Sequence, residues 1–143
     1  MRLGVAMADA PWEKHKAISD TPVFDGDGYE IEDPFIWYAD GKYHLMAKDM
    51  NGNICGEFMS GVHATSDDGK NWNFDIGKLF YSRNIELEDG TNFELGNMER
   101  PSILFEDGKP ICAYFAVSDG KDGGGFHNCT RTWCMPVKFR EEL

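Results

Sequence analysis

The amino-acid sequence predicts an all-β fold built from a repeated antiparallel unit. A twelve-residue segment occurs twice, at 32–43 and 99–110, and six of its positions are identical at a constant offset of 67 residues. Asp-Gly occurs eight times. This dipeptide is typical of tight turns, because glycine accepts a positive φ and aspartate tolerates it. No window shows a sustained helical stripe with caps. A repeated strand–turn–strand unit indicates a stacked or radial β architecture.

Short runs rich in aromatic and β-branched residues lie between these turns and predict the strands in chain order. The predicted strands are 34–38, 43–48, 61–65, 72–75, 101–105, 110–117 and 130–139. In the first unit two strands flank an Asp-Gly turn, and a loop at 51–60 leads to a third strand. A side-chain-bonded turn at 66–72 follows, and Trp72 is expected to fold back onto the hairpin. Three or four antiparallel strands in each unit, arranged radially, are typical of β-propeller blades.

We therefore expect a single, partial propeller domain. Residues 1–28 are predicted to be the remnant of a preceding blade, 29–78 one blade, 79–98 a connector and 99–139 a second blade. Two blades and a remnant are too few to close a propeller, so either a partner copy or an N-terminal half of a longer chain is expected to complete it. Open blade edges present unpaired backbone groups and apolar faces. We therefore expect a homodimer or a higher homo-oligomer.

Composition excludes several classes of partner. The net charge is −11, from 14 basic and 25 acidic residues, and no cluster of Lys and Arg exists. We therefore predict no nucleic-acid partner. No apolar segment approaches the length of a membrane span, so we predict no membrane partner. The apolar stretch before Asp9 is too short for a signal peptide, and the cellular location stays unassigned.

The four cysteines form neither a C-x-x-C pair nor a zinc-binding pattern. We accordingly predict no metal site and no cofactor. Cys112 lies in an apolar run and is expected to be a buried free thiol. Cys129 and Cys134 pair only if local geometry brings them together, so the redox compartment stays open.

The two units open with short motifs that carry a family resemblance. The first is Asp33-Pro34, and the second is Glu99-Arg100-Pro101. Together with the turn at 66–72 and the segment 124–133, they resemble the five-bladed β-propeller glycoside hydrolases of family 43 and its relatives. The resemblance covers most of residues 29–137. It implies hydrolysis of glycosidic bonds in a plant or algal oligosaccharide or polysaccharide, with a carbohydrate as the partner.

The resemblance also implies a role for each carboxylate. Glu99 matches the general acid that protonates the leaving glycosidic oxygen, and Asp33 matches the residue that tunes the pKa of that acid and orients it. The family's general base has no match here, since Asp9 and Asp20 lack the motif. We expect that base to come from an oligomer partner or from a missing N-terminal half of a longer protein.

The repeat leaves one alternative open. At the constant offset Glu32, rather than Asp33, is the equivalent of Glu99, and adjacent strand residues face opposite sides. Either a local bulge distinguishes the two openings, or Glu32 faces the site. The family pattern favours Asp33. A simpler interpretation is that these carboxylates only begin strands and accept hydrogen bonds from loop amides.

Three further residues are candidates for substrate binding, each with a plainer alternative. Arg100 is expected to bind a sugar hydroxyl or to pair with an acidic neighbour. His127 follows a glycine-rich loop that lets it reach a pocket, or it is simply solvated. Trp37 stacks on a sugar face or packs between blades. The alternative function is a non-catalytic carbohydrate-binding or scaffold propeller fragment.

Overall fold

The computed structural model describes residues 1–120 and 125–139 and confirms the all-β prediction. Eleven strands occur in these ranges, with one 3-10 helix at Gly125–Asn128 and no α-helix. The strands are β1 (Ala6–Met7), β2 (Lys16–Ala17), β3 (Ile31–Ala39), β4 (Lys42–Asp49), β5 (Ser60–Ser66), β6 (Asn73–Phe74), β7 (Asn84–Glu86), β8 (Asn92–Glu94), β9 (Asn97–Glu106), β10 (Lys109–Ser118) and β11 (Thr132–Lys138). Within the described part of the chain no helix has the length and apolar character needed to cross a bilayer.

Two antiparallel sheets form the body of the molecule. The first has the order β3-β4-β5-β6, and the second has the order β11-β10-β9. They correspond to the two predicted units of three to four strands. Two short ribbons, β1-β2 and β7-β8, lie outside these sheets. Neither sheet closes on itself within the described residues, so the propeller arrangement remains an expectation.

All seven predicted strands are present, each longer or shorter by a few residues. The four strands that the sequence did not predict are β1, β2, β7 and β8, which are two or three residues long. A ribbon this short has too few positions to show an alternating apolar pattern. The sequence therefore contains no periodic signal that identifies these strands.

The predicted turn at 66–72 forms as expected. Ser66 Oγ accepts hydrogen bonds from the backbone N–H groups of Asp68 at 3.3 Å and Gly69 at 2.9 Å. Asp68 Oδ1 accepts from the N–H of Lys70 at 2.8 Å. The indole N–H of Trp72 donates to the Gly69 carbonyl at 3.2 Å, and the ring packs against the first sheet. The side chains thus replace the backbone bonds that a sharp turn loses.

The hydrophobic core has two parts, one on each face of the first sheet. The part between the two sheets consists of Trp37, Met46, Leu95, Met98, Ile103, Ala113, Phe115 and Val117. On the opposite face the N-terminal segment covers the sheet with Leu3, Phe24 and Tyr29. Both faces of the first sheet therefore carry buried residues, although Ile36 and Tyr38 of β3 are exposed, and the second sheet is covered on its inner face.

The outer face of the second sheet has apolar side chains with no cover from the described residues. Leu104 holds the position equivalent to Trp37 at the offset of 67 residues. Trp37 is 8% exposed, because the second sheet packs on it, whereas Leu104 is 45% exposed. Ile111 and Tyr114 are also exposed. The second sheet thus presents the kind of surface that the first sheet buries.

Both units open with the same β-bulge. Opposite β4, Asp33 and Pro34 occupy the place of one residue, and opposite β10, Arg100 and Pro101 do the same. Asp33 and Arg100 both have φ 53°, in the left-handed region that non-glycine residues rarely adopt. The possibility that a bulge distinguishes the two openings is therefore wrong. Glu32 is the structural equivalent of Glu99.

None of the four cysteines forms a disulfide. Cys112 is buried, as its apolar run predicts, and Cys129 and Cys134 do not form a disulfide. Cys55 is also buried, and desolvation raises the pKa of its thiol to about 11. A thiol with so high a pKa is protonated and unreactive at neutral pH.

Candidate functional site

The duplicated openings bring three carboxylates together. One oxygen from each of Glu32, Asp33 and Glu99 lies within 4.8 Å of the others. Glu99 is buried, whereas Glu32 and Asp33 are partly buried. Strand β3 of the first sheet lies against β9 of the second sheet, so the equivalent residues Glu32 and Glu99 are close together. The bulge in β3 places Asp33 beside them as well. Both residues between which the sequence left a choice therefore belong to the cluster.

A buried lysine that the sequence analysis missed lies between these carboxylates. The side chain of Lys48, on β4, is 1% exposed. Its Nζ donates to Glu99 Oε2 at 2.6 Å, to Glu32 Oε1 at 3.2 Å and to Asn97 Oδ1 at 3.0 Å. These three acceptors use all three protons of the ammonium group. Because Glu99 and Asn97 lie on β9, Lys48 joins the two sheets.

Asn97 completes the surroundings of Glu99. Its side-chain amide donates to Glu99 Oε2 at 2.9 Å, while its carbonyl oxygen accepts from Lys48. Glu99 Oε2 thus receives two hydrogen bonds from buried groups. This arrangement fixes the orientation of the Glu99 side chain.

Lysine is rarely buried, so a lysine such as Lys48 at the end of a predicted strand is expected to have a solvent-exposed side chain. The hairpin register contains the signal that could have located it. The turn at Asp40-Gly41 pairs Ala39 with Lys42, and counting back along both strands pairs Glu32 with Lys48 once the bulge is included. A glutamate directly opposite a lysine on the buried face of a hairpin indicates an ion pair.

Two roles were expected for Arg100, and the structure shows the second of them, in which Arg100 pairs with an acidic neighbour. Its guanidinium Nη1 lies 3.4 Å from Glu99 Oε1, and its side chain is 66% exposed. Its backbone N–H donates to Asp33 Oδ2 at 3.3 Å, which ties the two bulges to each other. The predicted contact between Arg100 and a sugar hydroxyl remains a prediction.

Trp37 lies in the core between the sheets. Its ring stacks on His44 at a centroid distance of 5.0 Å with an interplanar angle of 15°. With a side chain only 8% exposed, Trp37 offers no open ring face to a sugar. Trp37 therefore packs between the two sheets, which is the alternative that the sequence left open.

His127 lies on the short 3-10 helix and is exposed. Most of the preceding glycine-rich loop falls outside the described residues. In the part of the chain that is described, no hydrogen bond or ion pair connects His127 to the carboxylate cluster. Its predicted contact with a ligand remains a prediction.

A second polar chain runs beside Trp37 and has a structural role. His44 Nδ1 lies 3.1 Å from His63 Nε2, and His63 Nδ1 lies 2.9 Å from Asp75 Oδ2. His44 Nε2 donates to the Ala39 carbonyl at 3.3 Å, since a carbonyl oxygen can only accept. Burial lowers the pKa of His44, and the hydrogen bond from His63 lowers the pKa of Asp75. The chain joins β4, β5 and the residue after β6.

The geometry of the carboxylate cluster limits its chemistry. The carboxyl groups of glycosidases are about 5–5.5 Å apart in retaining enzymes and about 6.5–9.5 Å apart in inverting ones, where a water fits between them. The three carboxylates here approach within 4.8 Å, too close to hold that water. A base for an inverting reaction must therefore come from outside this cluster.

Carboxylate oxygens are also the ligands that Ca²⁺ and Mg²⁺ prefer. Here the Lys48 ammonium already donates to two of the three carboxylates, so a side chain of the protein itself balances part of their charge. We assign no metal ion to the cluster.

No protein-family model, no curated protein and no solved structure matches this chain.

Proposed function

We propose that this chain is a glycoside hydrolase-like protein whose site is built around Glu32, Asp33 and Glu99. The observation that supports the proposal is the convergence of these three carboxylates from two equivalent strand openings. Hydrolysis of a glycosidic bond requires one protonated carboxyl group and one ionised carboxylate. The substrate class is a plant or algal oligosaccharide or polysaccharide, as the family resemblance implies.

In this proposal Glu99 donates the proton to the leaving oxygen, and its neighbours set the conditions for that step. Carboxylates this close repel one another when both are ionised. Lys48 contributes one buried positive charge to the three carboxyl groups and holds Glu99 in place. Asp33, anchored by the Arg100 amide, supplies the neighbouring negative charge.

The proposal predicts that Glu99→Gln lowers turnover by about 100-fold or more, because an amide cannot donate the proton. The measurement is the release of reducing sugar from arabino-, galacto- and xylo-oligosaccharides. Glu106→Gln, at the exposed end of the same strand, is the matched control and should leave turnover unchanged. If both variants retain the wild-type rate, Glu99 is not the acid.

The buried ion pair supports a second candidate function. Lys48 donates to both Glu32 and Glu99, an arrangement that suits a rigid binding site as well as a catalytic one. In this alternative the chain is a non-catalytic carbohydrate-binding or scaffold protein. Calorimetric titration with the same oligosaccharides should then show binding, while chromatography of the mixture shows no product.

We further propose that a second copy of the chain covers the outer face of the second sheet. The support is the equivalence of exposed Leu104 with buried Trp37, together with the edge of β11, which pairs with no further strand among the described residues. Sedimentation at increasing concentration should show a dimer or a higher oligomer, and Leu104→Lys should shift the chain toward the monomer. A wild-type chain that remains strictly monomeric at high concentration contradicts this assembly.

A further inference from the structure

Tyr81 lies in line with the carboxylate cluster. Across the first sheet Glu32 pairs with Lys48, Lys48 pairs with Gly61, and Gly61 forms an isolated bridge with Tyr81. The Gly61 N–H donates to the Tyr81 carbonyl at 2.7 Å. Residues opposite one another in a sheet present their side chains on the same face. Tyr81 therefore faces the same side of the sheet as Glu32 and Lys48.

Gly61 leaves the space that the Tyr81 ring fills. A Cβ atom placed on Gly61 would lie 2.0 Å from Tyr81 Cδ1, so the ring lies directly over this glycine. On its other side the ring packs against Phe115 of the second sheet, at a centroid distance of 4.7 Å. The ring is thus held between the two sheets next to the Lys48 ion pair.

The Tyr81 hydroxyl is buried and has no hydrogen-bond partner among the described residues. Burial raises the pKa of the phenol, and the carboxylate of Asp33, together with those of Glu99 and Glu32, raises it further. The hydroxyl therefore keeps its proton and is a donor. A buried hydroxyl without a partner is rare in native proteins, because it has lost its bonds to water without replacing them.

We propose that the Tyr81 hydroxyl is a ligand-binding group of the carboxylate cluster and that, with Asp33, it recognises one hydroxyl group of a saccharide. A sugar hydroxyl is both a donor and an acceptor. Its proton is donated to the Asp33 carboxylate, and its oxygen accepts from the Tyr81 hydroxyl. This inference rests on the proposed function, since it requires that the cluster bind a saccharide.

The arrangement also determines which saccharides bind. A site with a buried donor and a partly buried carboxylate rejects a sugar that lacks the matching hydroxyl, because the Tyr81 hydroxyl then stays without an acceptor. The deoxy analogue of a sugar that binds is therefore expected to bind much more weakly to the wild-type protein. Removing the Tyr81 hydroxyl should reduce this discrimination.

The test compares Tyr81→Phe with the wild-type chain in two measurements. Because the hydroxyl has no hydrogen-bond partner among the described residues, we expect the melting temperature to stay the same or to rise. Because the ligand loses a donor, we expect about tenfold weaker binding of the best arabino-, galacto- or xylo-oligosaccharide in calorimetric titration. A residue with only a structural role would change both quantities in the same direction.

Tyr38→Phe is the matched control, since Tyr38 is exposed on β3, and neither quantity should change. Gly61→Ala tests the same site in another way: it displaces the Tyr81 ring, so it should weaken binding and also lower the melting temperature.

Each remaining outcome overturns the inference in a recognisable way. If Tyr81→Phe lowers the melting temperature by several degrees, the hydroxyl has a partner in the free protein. If the wild type binds an oligosaccharide and Tyr81→Phe binds it equally well, the role of Tyr81 is wrong and the proposed function stands. If none of the oligosaccharides binds to the wild type, the proposed function fails, and this inference fails with it.

Discussion

Replacing Lys48 with methionine is expected to lower the free energy of unfolding by about 3–5 kcal/mol, as for other buried ion pairs that lose one partner. Methionine has nearly the same length as lysine and fills the same space, so packing changes little. The cost arises because Glu99 and Glu32 lose the ammonium group that donates to them at 2.6 Å and 3.2 Å. Two carboxylates then remain close together without a positive charge between them.

The matched control is Lys42→Met on the same strand. Lys42 lies 3.7 Å from Asp67, and both side chains are largely exposed. Exposed pairs of this kind contribute about 1 kcal/mol or less, because water and salt screen them. Urea unfolding of both variants, monitored by tryptophan fluorescence, measures the two losses on one scale. Equal losses in the two variants would show that burial of the Lys48 network contributes nothing.

A triple variant separates the lost ion pair from other effects of the substitution. Lys48→Met combined with Glu32→Gln and Glu99→Gln removes the charge of Lys48 and of both its carboxylate partners at once. Replacing every member of a buried ion pair is often neutral or stabilising, whereas removing one member is costly. The triple variant should therefore recover much of the stability that Lys48→Met loses. Continued instability in the triple variant would indicate that the methionine itself disrupts packing.

The sheets could be predicted because their strands have local signals. Runs such as 34–38 and 101–105 contain aromatic and β-branched residues, and the Asp-Gly turns at Asp40 and Asp107 end them. The repeat further required that the two units begin in the same way. It thereby placed Glu32 and Glu99 at equivalent positions.

The rest of the site depends on contacts between residues that are distant in the chain. The left-handed conformations of Asp33 and Arg100 appear only when each strand is paired with its neighbour, because the bulge is a property of the pair. The bond between Lys48 and Glu99 links residues 51 positions apart. Tyr81 reaches the site only because Gly61 leaves room for its ring. Periodicity and spacing report local geometry, and none of these three features is local.

The bulges also suggest why both Glu32 and Asp33 reach the cluster. A residue with a positive φ is held there at a cost of about 1–3 kcal/mol, and such residues concentrate at functional sites. Without the extra residue, Glu32 and Asp33 would face opposite sides of the sheet. With it, Asp33 approaches Glu99 and accepts from the Arg100 amide at 3.3 Å. The bulge thus adds Asp33 to the cluster of Glu32 and Glu99. A regular strand would bring only Glu32 to this side of the sheet.

Replacing Asp49 with alanine is expected to lower the free energy of unfolding by about 3 kcal/mol or more, since it leaves two buried and two partly buried backbone donors without an acceptor. The Asp49 side chain is fully buried at the end of β4, directly after Lys48. Its Oδ2 accepts from the N–H groups of Ile54 at 2.8 Å and Cys55 at 3.0 Å. Its Oδ1 accepts from Gly52 at 3.0 Å and from Asn51 at 3.4 Å.

One carboxylate therefore organises the first half of the loop between β4 and β5. Asp49→Asn keeps one acceptor oxygen, so its loss should be smaller than that of Asp49→Ala. Asp68→Ala is the matched control, because Asp68 accepts similar backbone bonds in the turn at 66–72 but is exposed, so water can replace the lost acceptor. Hydrogen exchange of the Ile54 and Cys55 amides should accelerate selectively in Asp49→Ala. If Asp49→Ala were no more destabilising than Asp68→Ala, the loop would be held by other contacts.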